Sequence, residues 1–201
     1  MNTTISKDTN NAKRLKPFFR DNSLPLECQQ KKLSSYPKKV SGIAFDRGHL
    51  INSNSQDMTD LAIKESNYMF NVLPQLASVN RKSGSWYRLE YLTECFREVA
   101  PTTIWAGPVW GNNPLDDYFY ASHGIKTPSS LWKIIVRNDE SIAFIIPNDR
   151  SAPSSNLFDY TVSIADIEEK TGISIPINQN VVKTSISNAN RWVSEKRCDM
   201  R

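Results

Sequence analysis

The sequence is poor in the residues that mark several common classes of protein. Its three cysteines, Cys28, Cys95 and Cys198, are far apart and form no C-x-x-C pair, which argues against a cysteine zinc site or a thioredoxin-like motif. An odd count leaves at least one thiol unpaired, and the sequence does not decide whether the other two are bonded. Histidine occurs only twice, as His49 and His123. Neither lies in an H-x-D/E pair, which argues against the two-histidine, one-carboxylate iron site of oxygenases.

Long apolar runs are also missing. The longest spans residues 142–146, whereas a membrane-spanning helix needs about 20 apolar residues. We therefore expect no membrane partner. The first 20 residues are polar and basic and lack the apolar region of a secretory signal. This leaves the location undetermined, with secreted, periplasmic or organellar use open if the natural chain begins earlier.

The composition is typical of one soluble globular domain. The chain has 201 residues, of which 39% are hydrophobic and 23% charged, and its 5 Trp, 7 Tyr and 8 Phe need a core to pack in. The first 50 residues hold ten Lys or Arg against four Asp or Glu, and the remaining 151 hold fifteen against seventeen. A basic N-terminal quarter could face an anionic polymer, or it could simply be solvated surface.

Apolar periodicity and turn residues predict a mixed α+β fold with an antiparallel sheet flanked by helices. A strand, a tight turn at Gly48 and a second strand are expected over residues 40–52. Ser163 and Asp166 have the spacing of a capping box, and Gly172 would end that helix. The predicted helices span residues 58–68, 85–99 and 160–171, and the later strands span 103–109, 132–137 and 142–147.

Two groups of residues could carry chemistry. His49 follows Arg47, whose charge disfavours a protonated imidazole, and a neutral imidazole can take a proton from water. A structural hydrogen bond is the alternative interpretation of this histidine. Amides cluster further along, and an asparagine oxygen suits a hydrated Mg²⁺ ion, although such residues are more often caps and turns. The cluster comprises Asn67, Asn71, Gln75 and Asn80, ahead of Trp86 and Glu90.

These residues resemble the DNA/RNA non-specific endonuclease family. The tetrad Asp46–His49 matches its D-R-G-H signature, and Asn80 lies nine residues after Asn71, as in the family. Other segments are similar in the same order: residues 71–75 (N-x-x-P-Q), 86–90 (W-x-x-L-E), 106–109 (T-G-P, with Ala for Thr), 128–133 (P-x-x-F-x-K), 144–148 (ending P-N) and 163–172 (S-x-x-x-I-E-x-x-T-G). The ordered matches cover most of the chain.

The resemblance implies a fold and an activity. The fold would be α+β, with a mixed or antiparallel central sheet, flanking helices and a ββα-metal motif. The activity would be metal-dependent, sequence-independent hydrolysis of DNA and RNA to 5′-phosphate products. The endonuclease domain would span residues 13–178, between a disordered segment over 1–12 and a C-terminal extension over 179–201.

The resemblance also implies roles for individual residues. His49 would be the general base, and Asn80 the direct protein ligand of Mg²⁺, with Mn²⁺ as a substitute. Glu90 would orient the water of the ion, and Asn71 would help to shape the site. Arg47 and Arg88 would bind substrate. DNA and RNA would be the partners, and a homodimer and an inhibitor protein stay open.

Three features of this sequence depart from the family pattern: the Asn80–Glu90 spacing, Ala106 in place of the family's Thr, and the short stretch of about 45 residues ahead of the tetrad, so that an edge of the sheet could be missing. Asn80 and Glu90 are ten residues apart where the family has eight, which on an uninterrupted helix would separate them by about 15 Å. A loop at Ser83–Gly84 is expected to absorb the difference. The upstream phosphate-binding arginine could be Arg14 or Arg20. The competing hypothesis is a catalytically inactive nucleic-acid-binding module on the same fold.

Overall fold

The computed structural model describes residues 1–7, 12–37, 39–188 and 192. Its strands are β1 (Asn2–Ile5), β2 (Phe45–His49), β3 (Val72–Leu76), β4 (Thr102–Trp110), β5 (Pro128–Arg137), β6 (Glu140–Pro147) and β7 (Thr161–Val162). Its α-helices are α1 (Asp60–Ser66), α2 (Ala77–Asn80), α3 (Ser85–Arg97), α4 (Tyr120–His123) and α5 (Ile164–Thr171). This is the expected mixture of helices and antiparallel strands.

The strands form two separate units. Five of them make an antiparallel sheet in the order β1-β4-β5-β6-β7, and β2 pairs with β3 in an antiparallel two-stranded ribbon. The ribbon is followed directly by α2 and then α3, which gives the expected ββα arrangement. The turn between β5 and β6 contains Asn138 with φ of 55°, a left-handed conformation that asparagine tolerates well.

Both faces of the five-stranded sheet are covered. Ile135 and Leu131 on β5 belong to a core that also includes Leu89 of α3. Their neighbour Ile134 points to the other face, into a second core that includes Ile167 of α5. This alternation follows from the two-residue period of a strand, and it aims the odd-numbered side chains of central β5 at α3.

The sequence signals for the helix ends are correct for α5 and less accurate for α1. The predicted capping box of Ser163 and Asp166 is present, with Gly172 in the left-handed conformation at the other end of α5. Helix α1 is shorter than predicted and is capped by Thr59. Asp57, just ahead of the predicted start of this helix, pairs with buried Arg97 at 3.2 Å and does not cap α1.

Both segments expected to flank the domain contribute residues to the fold. Residues 1–12 were expected to be disordered, but Asn2–Ile5 pair with the edge of β4 and Ile5 is buried. Burial of Ile5 and completion of the β4 hydrogen bonds account for this strand. Residues 8–11 lie outside the described residues. Within the expected C-terminal extension, Val181 and Trp192 are buried in the two cores, whereas 189–191 and 193–201 lie outside the description.

The described residues include a free cysteine and no helix that could span a membrane. Cys28 is a free, exposed thiol, in agreement with the odd cysteine count. Of the helices in the described part of the chain, none combines the length and hydropathy needed to cross a bilayer.

Candidate functional site

A cleft of about 750 Å³ opens beside the ribbon and the start of α3. It brings together four of the side chains singled out by sequence: Arg47, His49, Asn80 and Glu90. Most of the other charged residues in its lining are basic. The remaining charged residues of the lining are Lys13, Arg14, Asp57, Arg81 and Lys82.

The ribbon fixes the backbone of His49 at the floor of this cleft. Strand β2 runs straight through Gly48, so the predicted tight turn there is wrong. A Cβ on Gly48 would lie 2.1 Å from Cδ of Gln75, which means that glycine is needed for close approach rather than for turning. Gln75 Nε2 and Trp86 Nε1 each donate to the His49 carbonyl oxygen at 3.0 Å. Side chains from β3 and α3 therefore both hold His49 in place.

The hydrogen bonds of Asn67 determine which nitrogen of His49 carries the proton. Asn67 Nδ2 donates to the carbonyl oxygens of Leu15 and Pro17, both at 3.0 Å, so its Oδ1 faces the imidazole. Oδ1 lies 2.8 Å from His49 Nε2 and can only accept, so Nε2 must be the protonated nitrogen. Nδ1 is then left with its lone pair, as a general base requires.

The environment of His49 keeps the imidazole neutral. The side chain is 7% exposed. Burial is the main reason that its pKa falls to about 4; the Asn67 hydrogen bond opposes this shift, and the charges of Arg14 and Arg47 add to it. The sequence had predicted the direction from Arg47 alone, but desolvation has the larger effect.

The amide of Asn80 is oriented by Asp46, the first residue of the D-R-G-H tetrad. Asn80 Nδ2 donates to Asp46 Oδ2 at 3.1 Å. Arg81 donates two further hydrogen bonds to the same carboxylate, at 2.9 and 2.7 Å. Burial works against ionisation of Asp46, but these donors hold its pKa below the ordinary value. With Nδ2 engaged, Oδ1 is the atom of Asn80 that a cation in the cleft could use.

A break between α2 and α3 brings Glu90 to the same cleft as Asn80. Helix α2 ends at Asn80 and α3 starts at Ser85, so the long separation expected of an uninterrupted helix does not arise. A Cβ on Gly84 would lie 2.1 Å from the Val79 carbonyl oxygen. The glycine thus lets the start of α3 fold back against α2.

Glu90, half-buried on α3, lies next to a group of buried charges from α3 and β5. Burial raises its pKa, and the positive charge of Lys133 on β5 opposes that rise. The Lys133 ammonium is completely buried and lies 4.4 Å from the centroid of the Trp86 ring. Glu94, one turn after Glu90, binds Arg97 at 2.8 Å. This group was not anticipated, because a lysine in an apolar strand carries no sequence signal of what it faces.

Two other predicted site residues lie outside the cleft lining. Asn71 is fully buried, and its side chain binds only backbone atoms: N and O of Ile51 and O of Ser66, at 2.7 to 3.0 Å. It supports the end of the ribbon beneath His49. Arg88 is exposed on α3 and does not line the cleft.

The two upstream arginines, Arg14 and Arg20, lie in different surroundings. Arg14 lines the cleft, and its charge reaches both His49 and Glu90. The Arg20 guanidinium instead donates to the Lys31 carbonyl oxygen. Of the two upstream arginines, it is therefore Arg14 that lies at the cleft.

The donor set of the cleft suits a hard, largely hydrated cation. Among the described residues there is no group of three or more His, Cys, Asp or Glu that could hold a metal ion. The cleft offers the Asn80 amide oxygen and the Glu90 carboxylate, which are oxygen donors of the kind Mg²⁺ accepts while keeping most of its water. These residues fit the ion that the sequence resemblance implies.

Comparisons with known proteins identify the family to which this chain is similar. The family model for DNA/RNA non-specific endonuclease matches residues 1–183. The human mitochondrial nuclease EXOG is 26% identical over 156 residues, which cover 70% of this chain and 42% of the human protein. A nuclease of Nostoc sp. is 30% identical over 191 residues, covering 88% of this chain and 65% of its own length.

A solved structure supports the fold. A chain in the crystal structure of the EndoG/EndoGI complex superposes with a TM-score of 0.67 at 18% identity, covering 92% of this chain and 83% of that one. The present chain spans less than two thirds of the human and Nostoc proteins.

Proposed function

This chain belongs to the DNA/RNA non-specific endonuclease family, and we propose that it hydrolyses phosphodiester bonds of DNA and RNA without sequence preference. The observation that supports this most strongly is the pairing of two groups in one basic cleft. His49 has its Nδ1 lone pair free, and Asn80 has its amide oxygen free of the Asp46 contact. The first suits proton transfer, and the second suits a cation beside a phosphate.

His49 would act as the general base. Its neutral imidazole would accept a proton at Nδ1 from the attacking water, while the proton on Nε2 stays hydrogen-bonded to Asn67 Oδ1. Because burial holds the pKa near 4, the base stays unprotonated throughout the neutral range. General-base assistance of this kind contributes roughly 10² to 10⁴ in rate.

Asn80 Oδ1 would hold the Mg²⁺ ion, and Glu90 would accept hydrogen bonds from its water shell. Mn²⁺, which takes similar oxygen donors, would be the substitute. When bound, the ion supplies positive charge that stabilises negative charge on the phosphate and on the leaving oxygen. Release of the 3′-oxygen would leave 5′-phosphate products.

The basic lining would bind the backbone rather than the bases. Arg14, Arg47 and Arg81 present guanidinium groups to the cleft, and such contacts carry no sequence information. This accounts for a lack of sequence preference. Arg88, exposed on the outer side of α3, would meet substrate only beyond the cleft.

The names of the relatives bear on partners and location. The human relative is named as mitochondrial, which supports organellar use of this chain. The EndoG structure is that of a complex described as inhibitory, which supports an inhibitor protein here as well. A homodimer stays a prediction.

Plasmid cleavage distinguishes this enzyme from an inactive binding module. Nicking of supercoiled plasmid should require Mg²⁺ and disappear with EDTA and in His49→Ala and Asn80→Ala. His123→Ala is the matched control, because His123 packs against Tyr36 and lies outside the cleft. Tight plasmid binding without nicking in the parent protein would instead establish the binding module.

A further inference from the structure

A stretch of chain ahead of the ribbon lies across the site and is tied down along its length. We call residues 12–19 the N-terminal strap. The Ala12 amide donates to the Asp57 carbonyl oxygen at 3.0 Å, and Phe19 exchanges backbone hydrogen bonds with Asn67 and Met69 at 3.0 and 2.9 Å. Leu15 and Pro17 of the strap also accept the hydrogen bonds of Asn67 described above. The strap is therefore a fixed part of the site.

One side chain of the strap touches two functional residues at once. The Phe18 ring stacks on the His49 imidazole, with 5.5 Å between ring centroids and 29° between planes. The Arg47 guanidinium carbon lies 4.2 Å from the centroid of the same ring. Arg47 and His49 are two residues apart on β2 and so project from the same face of the ribbon.

The chemistry of a phenyl ring suits this position. Its negative face attracts the guanidinium, and its apolar surface covers one side of the imidazole. It offers no hydrogen bond, so it does not compete with water for His49 Nδ1. Tyrosine or histidine in its place would bring a polar group next to the base.

We propose that Phe18 is a positioning residue that fixes the plane of the His49 imidazole and the direction of the Arg47 guanidinium, and that keeps water from one face of the imidazole. This rests on the proposed function of His49 as the base. Phe18 itself touches no reacting atom. Its effect is to hold the two residues in the orientation that reaction requires, and misplacement of such groups by about 1 Å lowers rates by as much as about 10²-fold.

The test uses Phe18→Leu and Phe18→Ala, with Phe19→Leu as the matched control. Leucine keeps apolar bulk but has no π face, so it separates positioning from simple packing. Phe19 is the neighbouring strap residue, also half-buried, and its ring lies near the Lys64 ammonium rather than the site. Cleavage of a short DNA duplex with Mg²⁺ would give kcat and KM. We expect kcat to fall about 10- to 100-fold in both Phe18 variants and to stay near the parent value in Phe19→Leu.

Proton NMR gives a readout that does not depend on activity. The chain has only two histidines, so His49 is assigned by comparison with His49→Ala and followed against pH. Phe18→Ala admits water to the imidazole and should raise its pKa from about 4 towards the ordinary 6.5. The charged groups that share the cleft with His49 are Lys13, Arg14, Arg47, Asp57, Arg81, Lys82 and Glu90, and all of them are unchanged in this variant.

The outcomes separate the two proposals. Parent kcat in Phe18→Leu, together with an unchanged His49 titration in Phe18→Ala, would overturn the role of Phe18 alone, provided that His49→Ala is inactive. Parent activity in His49→Ala would overturn the proposed function whatever the Phe18 variants do. Equal losses in the Phe18 and Phe19 variants would show that the strap acts only as packing, which also overturns the inference.

Discussion

Replacement of Asn67 by leucine tests the tautomer argument directly. The side chain is 1% exposed and makes three hydrogen bonds, to His49 Nε2 and to the carbonyl oxygens of Leu15 and Pro17. Leucine has similar bulk and removes all three. A buried donor without an acceptor costs about 1 to 3 kcal/mol, and each other lost bond about 1 kcal/mol. We expect the free energy of unfolding to fall by about 3 to 5 kcal/mol, measured in urea.

The expected loss of activity has a different cause from the loss of stability. Without Asn67, either nitrogen of His49 can carry the proton, and the ring loses the contact that sets its rotation. We therefore expect kcat to fall by about 10²-fold, within the range that a general base contributes. KM should change little, because Asn67 does not line the cleft.

Asn148→Leu is the matched control for stability. Its amide also makes three hydrogen bonds, with Leu76 N, Pro74 O and Pro128 O, at the far end of the ribbon from His49. A similar loss of stability with near-parent kcat is expected. Equal losses of kcat in the two variants, or parent kcat in Asn67→Leu, would refute the tautomer argument.

Four further predictions concern His49, Gly48 and Arg14. Because burial lowers the pKa of His49 to about 4, the base stays neutral as pH falls. In Glu90→Gln, where the raised pKa of Glu90 adds no limb of its own, kcat/KM should be flat from pH 7 to about 5.5 and decline only near 4; a midpoint at 6.5 would contradict this. Protonation of buried His49 also opposes folding, so the free energy of unfolding should fall by about 3 kcal/mol in total as the pH drops from 6.5 through 4. Urea titrations of His49→Gln should not show this loss. Alanine at position 48 must displace the buried Gln75 side chain, which binds the His49 carbonyl oxygen. Gly48→Ala should therefore lower the free energy of unfolding by about 1 to 3 kcal/mol and lower kcat. Parent values of both would contradict the need for close approach at Gly48. Arg14→Ala should weaken duplex binding and reduce its salt dependence by about one phosphate contact, whereas Arg20→Ala should do neither, as measured by fluorescence anisotropy across a salt series.

The parts of the molecule that could be predicted are those with a local cause. The capping box at Ser163 and the apolar stripe of α3 depend on residues a turn or two apart, so their pattern is visible in the sequence. The motif residues His49 and Asn80 were placed in one cleft as expected, because the family resemblance carried a long-range arrangement that spacing alone does not contain.

The missed features depend on contacts between distant segments. Asn67 orients His49 only because two carbonyl oxygens of the strap fix its amide, and a carbonyl oxygen has no sequence signature. Phe18 precedes His49 by 31 residues, with no periodicity linking them. The sequence predicts a turn at Gly48. The close approach of the Gln75 side chain, which is the actual reason for the glycine, follows only from the pairing of β2 with β3.

An amide suits the position beside His49 better than the more familiar carboxylate. A carboxylate would also accept from Nε2, but its charge would stabilise the imidazolium and raise the pKa of His49. It would also face the carbonyl oxygens of Leu15 and Pro17 without a proton to offer either. Asn67 fixes the same tautomer without adding charge, and it uses its remaining two protons to hold the strap.

Asn67→Asp separates these effects. We expect it to keep the tautomer, and therefore to retain more activity at neutral pH than Asn67→Leu, while its acidic limb moves to higher pH. Stability should fall because the two strap carbonyls lose their donors. An acidic limb that stays at the parent position would show that the residue beside Nε2 does not govern the protonation of the base.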